Sequence, residues 1–398
     1  MKDECSLLVP ANLTLSYIYY AMESNFPPEL RMFRKIFTCG LGTLVVIIGF
    51  LGNGSVLWWL HGQKRSRVGQ SMRVVLLWDN LLLFVSWVMF PLPCMLADGS
   101  FPVSGWYSQL IKPLYILTNI AMVGSIWTTL VVTVDRYLAM CHPFAHRIYY
   151  SLQAMRYCLI AVAIIAVAFC MPRYFENTLL SCPVVLTPLG PNDTAFPFPY
   201  TSPDVPKTLT LEILTPTLLL SDPLYFIIYR IGLEVALVTV LPLCTIGFLT
   251  IRVIVALQHR FTIQSYGTVP GPDSNSPPEQ IVVPQFAVTR LLLWIVGKFL
   301  ICYTLPAALN ILQVAAVQQF QEGKFVYLVE VSNLMVMLHA STNFAVHVAC
   351  SPRTRHRLIT QIRRYFNIFD SPAQSPTSHM RVTSCRTMAI SGEMTALL

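Results

Sequence analysis

Residues 113–134 read Pro-Leu-Tyr-Ile-Leu-Thr-Asn-Ile-Ala-Met-Val-Gly-Ser-Ile-Trp-Thr-Thr-Leu-Val-Val-Thr-Val and contain no charged side chain. A helix needs about 20 apolar residues to cross the hydrocarbon core of a bilayer, and this run is long enough. Three polar residues, Asp135-Arg136-Tyr137, follow at once. The run therefore predicts a membrane-spanning helix that ends at one surface of the membrane.

The composition of the whole chain agrees with this reading. Of the 398 residues, 55% are apolar or aromatic and only 12% are charged. Soluble domains carry about 25% charged residues, so one or two soluble domains of this length are excluded. The net charge of +8 comes from basic residues that flank apolar runs. Because they do not form a polar basic domain, no nucleic-acid partner is expected.

Seven long apolar runs divide the chain, and they are named span 1 to span 7. Their approximate limits are 36–60, 74–97, 110–138, 157–175, 224–257, 285–318 and 325–350. Backbone groups cannot reach water inside a bilayer, so each run should be a helix. The prediction is an all-α membrane protein with a seven-helix bundle over residues 36–350.

The basic residues fix the predicted orientation. With the amino tail (1–35) outside, the inner segments contain 17 of the 27 Lys and Arg residues. Positive residues concentrate on the cytoplasmic side of membrane proteins, which favours this topology. The two Asn-x-Thr glycosylation sequons, at Asn12 and Asn192, then both lie outside. After span 7, Arg residues alternate with apolar ones over 352–369, which predicts an amphipathic helix on the inner membrane surface. Residues 370–398 are rich in Ser, Thr and Pro and are predicted to be a disordered cytoplasmic tail.

Polar motifs recur at set points within these spans. They are Asn53 in span 1, Asp79 in span 2, Asp135-Arg136-Tyr137 at the end of span 3 with Pro143-Phe144 after it, and Asn343 in span 7. In this order and at these positions the set resembles that of the rhodopsin-like G-protein-coupled receptors, over about residues 36–366. The resemblance implies a plasma-membrane receptor that binds a ligand outside and activates a heterotrimeric G protein inside.

Four longer segments narrow the resemblance. They are 125–137, 172–176, 225–229 and 333–344. Together they look like the corresponding parts of invertebrate FMRFamide-type neuropeptide receptors. Such receptors bind short amidated peptides that end in Arg-Phe, so an extracellular peptide ligand is the implied partner.

The resemblance also assigns roles to the polar motifs. It implies an allosteric sodium site formed by Asp79, Ser125, His339 and Asn343. A polar cluster that only stabilises the bundle is the alternative, and no other metal or cofactor is expected. At the inner end, Asp135 would hold Arg136 in the resting receptor and release it towards the G protein, which Pro143 and Phe144 would contact.

The ligand pocket is assigned by family position. Its expected wall consists of Thr118, Asn119, Met122, Glu234, Tyr303, Thr304, Asn310, Glu330 and Asn333. Thr118 and Met337 stand where amine receptors carry an Asp and opsins carry a retinal-binding Lys, so neither an amine nor retinal is expected. Glu234 has two possible partners, a basic group of the ligand or Arg230 one turn earlier.

The chain departs from the family pattern at several positions. The usual span 3 cysteine is Ile111, so Cys182 is left with Cys94 or Cys5 as a candidate disulfide partner. Span 6 has one extra residue between its Cys and its Pro, so either Tyr303 or Thr304 takes the place of the usual Trp. Lys298 is a base inside span 6 with no evident partner.

Other classes of protein are less well supported. The motifs that an intramembrane enzyme would need, such as His-Glu-x-x-His, are missing from the sequence. A transporter predicts broken helices at matching positions of two repeats, whereas the two proline-containing spans are neighbours. A chemosensory receptor for a small molecule shares the same scaffold and stays as the main alternative. Clustered Ser and Thr residues in the tail also indicate arrestin as a further partner, through phosphorylation.

Overall fold

The computed structural model describes the greater part of the helical region. The described residues are 28–62, 67–96, 105–186, 207–267, 294, 297–309, 312, 326–350 and 360. Several predictions lie outside them. These are the sequons at Asn12 and Asn192, the pocket residue Asn310, the tail 370–398 and, apart from Thr360, the amphipathic helix 352–369.

Five helices are long and apolar enough to cross a membrane. They are Pro28–His61, Gly69–Leu96, Gln109–Cys141, Leu152–Phe175 and Pro223–Ala256, and they correspond to spans 1 to 5. Span 2 begins slightly earlier, as the helix Arg67–Met89, and continues after Phe90 as Pro91–Leu96. Span 3 is the helix Gly105–Cys141. Five of the seven predicted membrane crossings are therefore helices of the expected kind.

The last two spans are described in shorter pieces. In span 6 the helix Gly297–Leu309 is apolar but shorter than a membrane crossing. Span 7 consists of the helices Val326–Ser341 and Asn343–Cys350. A complete count of seven crossings stays a prediction from the sequence.

Span 1 begins earlier than the sequence predicted. Residues 28–35 were assigned to the amino tail because they contain charged side chains, but Pro28–Arg34 is already helical. The proline favours the first turn of a helix. Arg34 is buried and forms an ion pair of 2.8 Å with Glu330 of span 7. The charge that suggested a tail is therefore neutralised inside the bundle.

A two-stranded ribbon between spans 4 and 5 corrects the all-α prediction. Strand β1 (Asn177–Leu186) pairs antiparallel with β2 (Lys207–Pro216), from Asn177 opposite Pro216 to Leu186 opposite Lys207. The residues Thr208 to Glu212 alternate polar and apolar, which is the pattern of a strand. The prediction missed it because it treated this connection as a loop.

The distribution of polar and apolar side chains is that of a protein in a membrane. Asn53, Asp79 and Ser125 have no exposed surface, whereas Leu51 is 68% exposed and Ile164 is 63% exposed. Exposed apolar side chains over whole helices match a lipid environment, and polar groups then collect between the helices. This interior is where the candidate sites lie.

Candidate functional site

A cavity of about 240 Å³ lies between the helices near the ends where spans 3, 5 and 7 begin. This end of the bundle is called the predicted outer end. Every span from 2 to 7 contributes to the cavity wall, including Met89, Asn119, Arg173, Glu234, Leu309 and Asn333. The wall thus combines apolar side chains with a few charged and amide groups, as is usual for ligand pockets.

Arg173 contacts three other side chains of this cavity and its surroundings. It lies in the short turn of helix Met171–Phe175 at the end of span 4 and is buried. Its guanidinium donates hydrogen bonds to Asn119 Oδ1 at 2.6 Å and to the Tyr115 hydroxyl at 3.0 Å. It also forms an ion pair with Glu234. A buried guanidinium requires such partners, because an unpaired charge is costly away from water.

Two further side chains extend this ion pair. Arg230 lies 3.4 Å from Glu234, one helical turn away, and 3.8 Å from Glu176 Oε1. The hydroxyl of Tyr225 donates to Glu176 at 3.0 Å. The four charged residues, Arg173, Glu176, Arg230 and Glu234, are called the outer charge network. The two positive and two negative charges of the network sum to zero. The network joins the end of span 4 to span 5.

The predicted pair of Glu234 with Arg230 is thus present, and the sequence analysis missed the second partner. In the sequence, Arg173 stands within the segment 172–176, which resembles the receptor family. Its position directly after Pro172, at the end of an apolar run, was the available signal. A buried arginine at such a point needs an acid on a neighbouring helix.

The predicted pocket residues fall into two groups. Thr118, Asn119, Met122, Glu234 and Asn333 line the cavity. Glu330, Tyr303 and Thr304, the other predicted pocket residues that the structure describes, do not line it.

Glu330 is turned away from the cavity. It is buried and accepts hydrogen bonds from Arg34 Nε at 2.8 Å and from the Thr38 hydroxyl at 2.5 Å, both on span 1. Glu330 does not line this cavity, and its assignment to the ligand pocket stays a prediction. Its partner Arg34 lies within residues 1–35, which the sequence assigns to the amino tail and not to span 1.

Burial also shows which side of span 6 faces the interior of the bundle. Tyr303 is 2% exposed. Thr304 is exposed, and its hydroxyl donates to the Leu300 carbonyl of the same helix at 2.6 Å. Successive residues on a helix are rotated by about 100°, so a residue next to a buried one need not face the interior. Tyr303 faces the interior, and its ring lies 4.7 Å from that of His339. Neither Tyr303 nor Thr304 lines the outer cavity, and their assignment to the ligand pocket stays a prediction.

Deeper in the bundle, three of the four residues predicted for a sodium site come together. Asp79 is fully buried and accepts a hydrogen bond from the Ser125 hydroxyl at 2.5 Å. Its other oxygen accepts from the Asn343 amide. Asn53 donates to the Ala340 carbonyl at 3.1 Å and so fixes span 1 to span 7 beside this site. These contacts satisfy a carboxylate that would be costly in lipid.

The fourth residue, His339, is placed differently from the prediction. Its ring packs edge-on against Tyr303 and Phe299, with centroids 4.7 and 6.0 Å away. Its backbone carbonyl, not its ring, takes part in the polar cluster and accepts from Lys298 Nζ at 2.9 Å. Lys298 also donates to Asn343 Oδ1. The lysine that had no evident partner in the sequence thus belongs to this cluster.

At the opposite end of span 3, Asp135 holds Arg136. The carboxylate contacts Arg136 Nη2 at 2.7 Å and, through its other oxygen, His146 Nε2 at 2.9 Å. Asp135 itself is almost fully buried. His146 lies in the helix Pro143–Tyr149, and the Phe144 side chain of that helix is 85% exposed. The geometry is an ion pair within span 3 beside a protruding apolar side chain.

The predicted Cys94–Cys182 disulfide is wrong, because Cys94 bonds to a different cysteine. It forms a disulfide with Cys39 of span 1, with the two Cα atoms 5.5 Å apart. Cys39 lies in the helical segment Lys35–Gly42 and faces the end of span 2. Helix packing brings these two cysteines together, and their sequence spacing does not reveal it.

A helix bundle with an outer polar cavity, a buried acid cluster and a held Asp-Arg pair is the arrangement implied by the resemblance to rhodopsin-like G-protein-coupled receptors. No protein-family model matches the chain.

Curated proteins confirm the resemblance. Over 334 residues the chain is 25% identical to the FMRFamide receptor of Drosophila melanogaster, an alignment that covers 82% of this chain and 54% of that receptor. It is 22% identical over 367 residues to the FMRFamide peptide receptor frpr-18 of Caenorhabditis elegans, covering 88% of this chain and 76% of that receptor. A shorter match, 29% over 123 residues, is to the C-X-C chemokine receptor type 4-B of Xenopus laevis, covering 30% of this chain and 32% of that receptor.

These relatives are receptors and not enzymes, and they agree with the apolar helices in indicating a multi-pass membrane protein. The chain spans about half the length of the first of them. Its similarity to the two FMRFamide receptors extends over most of its own length. The resemblance seen in the sequence motifs is therefore confirmed at the level of the whole chain.

Proposed function

We propose that the protein is a plasma-membrane receptor that binds an extracellular amidated peptide and activates a heterotrimeric G protein. The amino tail is outside in this proposal, and the peptide belongs to the FMRFamide-like class, which ends in Arg-Phe-amide. Its main support is the similarity to two FMRFamide receptors over more than four fifths of the chain. The outer charge network supplies the chemistry that such a ligand needs.

The size of the cavity suits the end of a peptide. Drug-sized ligands occupy about 300–1,000 Å³, so a cavity of about 240 Å³ admits one or two side chains. Met89, Met122 and Leu309 offer apolar surface for a phenylalanine ring. Asn119 and Asn333 offer amide groups for the terminal carboxamide.

The arginine of the peptide finds an acid in the same wall. Glu234 lines the cavity and is shared by Arg173 and Arg230. A guanidinium of the ligand would compete with these two for the carboxylate, and such charge-assisted pairs are strong. Because Arg173 also binds Asn119 of span 3, its displacement would loosen the link between spans 3, 4 and 5.

At the inner end, the proposal assigns signalling to Arg136. In the resting receptor the guanidinium is held by Asp135. A movement of span 6 would free it to face the G protein, as bistable switches require. Phe144, with most of its side chain exposed, would insert into the surface of the same partner. Phosphorylation of the tail would later favour arrestin.

The test is a comparison of paired peptides on expressing cells. A panel of peptides ending in Arg-Phe-amide is assayed by calcium and cyclic AMP, each beside an analogue in which citrulline replaces the arginine. Citrulline keeps the shape of the arginine side chain but carries no charge. The loss of a hydrogen bond to a charged group costs about 1.5–3 kcal/mol, which is roughly 10- to 100-fold in potency. In Glu234→Gln this preference for arginine should fall to about threefold or less.

Glu330→Gln is the matched control, because it removes a second buried outer acid that does not line the cavity. The arginine preference should persist there. An unchanged arginine preference in Glu234→Gln would contradict the assigned contact. Silence towards every peptide, with a response to a small volatile molecule or lipid, would favour the chemosensory alternative instead.

A further inference from the structure

The side chain of Lys298 reaches from span 6 into the polar cluster around Asp79. Its ammonium group donates to the His339 carbonyl at 2.9 Å and to Asn343 Oδ1, both on span 7. The lysine is only partly exposed. Phe299 and Cys302, which are close to it in sequence, are apolar and buried. An ammonium group at such a place needs partners of this kind.

The amide of Asn343 connects the lysine to the acid. Its oxygen accepts from Lys298, while its nitrogen donates to Asp79 Oδ2. The Ser125 hydroxyl occupies the other carboxylate oxygen at 2.5 Å. The ammonium and the carboxylate are thus separated by a single amide group.

The residues present do not fit the sodium ion that the family resemblance implies. Asn343 Oδ1, one of the oxygens assigned to the ion, already accepts from Lys298. His339 stands where related receptors usually carry Asn, and its ring packs against Tyr303 instead of supplying an oxygen. Sodium prefers oxygen ligands, and a second positive charge next to the ammonium group would be repelled.

We propose that Lys298 is the resident cation of this cluster and takes the place that the resemblance assigns to sodium. The positive charge that compensates Asp79 is then covalently part of span 6. Outward movement of span 6 withdraws the ammonium from its acceptors on span 7. The protein is therefore insensitive to sodium, and the cation that stabilises its resting state is controlled by helix movement and not by ion concentration.

The first measurement uses the wild-type protein and sodium itself. The purified full-length chain in detergent is heated in NaCl or in KCl at equal ionic strength, and unfolding is followed by fluorescence. The midpoints should agree to within about 1 °C over the concentration range. A sodium-specific rise of several degrees in the wild-type protein would overturn the proposal. This comparison decides the matter even when a variant fails to fold.

The second measurement tests the pairing of the charges. Lys298→Leu leaves a buried carboxylate without its cation and should lower the midpoint by roughly 5 °C or more. Adding Asp79→Asn removes that carboxylate and should recover at least half of the loss. The control is Lys112→Leu, whose ammonium lies 4.2 Å from the centre of the Tyr174 ring. Its effect should be small, and Asp79→Asn should not reverse any of it.

Losses that simply add in the double variant Asp79→Asn/Lys298→Leu would refute the pairing. The thermal measurement needs neither a ligand nor a G protein. A chain that responds to no peptide would therefore leave this inference intact, and a sodium-sensitive chain would leave the proposed peptide function intact.

Discussion

Replacing Arg173 by Met is expected to weaken the outer end of the bundle more than any other single change in the cavity wall. The guanidinium holds Glu234, Asn119 and the Tyr115 hydroxyl at once. Methionine fills a similar volume but offers none of these bonds. Glu234 would lose this partner and keep its contact with Arg230, at 3.4 Å.

The size of the effect follows from these contacts. Removing one partner of a buried ion pair costs about 3–5 kcal/mol, because the other charge stays buried. Arg230 still compensates Glu234, so the lower end, about 3 kcal/mol, is expected. At about 2 °C per kcal/mol for a large domain, the unfolding midpoint should fall by roughly 6 °C.

The assay is thermal unfolding of four purified proteins: wild type, Arg173→Met, Glu234→Gln and the double variant. Groups in direct contact show coupling of about 0.5–3 kcal/mol, so the double variant should lose clearly less than the sum of the single losses. Arg34→Met is the control, since it breaks the separate buried pair with Glu330. Its loss should add to that of Glu234→Gln. Additive losses for Arg173→Met and Glu234→Gln would refute the assigned network.

Three further changes give measurable outcomes. Cys94→Ser should lower the free energy of unfolding by up to about 4 kcal/mol, because the bond joins residues 55 apart, and adding Cys39→Ser should have no further effect. His146→Ala removes one of the two partners of Asp135 and should raise agonist-independent nucleotide exchange on the G protein, up to about fivefold for a bond of about 1 kcal/mol. Gly124→Ala places a methyl group 2.6 Å from a tryptophan ring of span 2 and should cost about 1–3 kcal/mol of stability.

Each of these changes has a matched control in the described part of the chain. Cys158 is free and exposed, so Cys158→Ser should leave the midpoint unchanged. His142 contacts Tyr137 but not Asp135, so His142→Ala should leave nucleotide exchange near the wild-type rate. A methyl group at Gly54 meets nothing within 4 Å, so Gly54→Ala should be tolerated. An equal effect of the control and the test variant would contradict the corresponding prediction.

The scaffold was predictable because lipid imposes strict rules on sequence. Five predicted spans correspond to long apolar helices, since a backbone in a bilayer must be helical and a crossing requires about 20 apolar residues. Asp79, Ser125 and Asn343 were also predicted to meet, and they do so. Inside a bilayer, the polar residues of apolar helices find their hydrogen-bond partners mainly in one another.

The partners of charged side chains were harder to predict. Lys298 seemed unpaired because its contacts depend on the rotation of span 6, and the extra residue between Cys302 and Pro306 left that rotation open. Arg34 and Glu330 are almost 300 positions apart in sequence, so only the packing of span 1 against span 7 brings them together. A sequence pattern shows which face of a helix is apolar or polar. It does not show which other helix packs against that face.

The strand pair and the disulfide were missed for a related reason. The alternation in β2 is a local signal, yet it stands in a connection where helices were the expected elements. Cys39 carries no local signal at all, because a cysteine within an apolar helix is ordinarily a small packing residue. Its bond with Cys94 depends on the place where span 1 comes close to the end of span 2.

The Cys39–Cys94 bond also closes a covalent ring that contains most of spans 1 and 2 and the connection between them. A protease that cuts this connection, between residues 61 and 67, would leave the two pieces joined. The cut chain would migrate as one band on a non-reducing gel and as two bands after reduction. Cleavage at this point would therefore go unnoticed on a non-reducing gel, and the nicked molecule would keep its first helix attached.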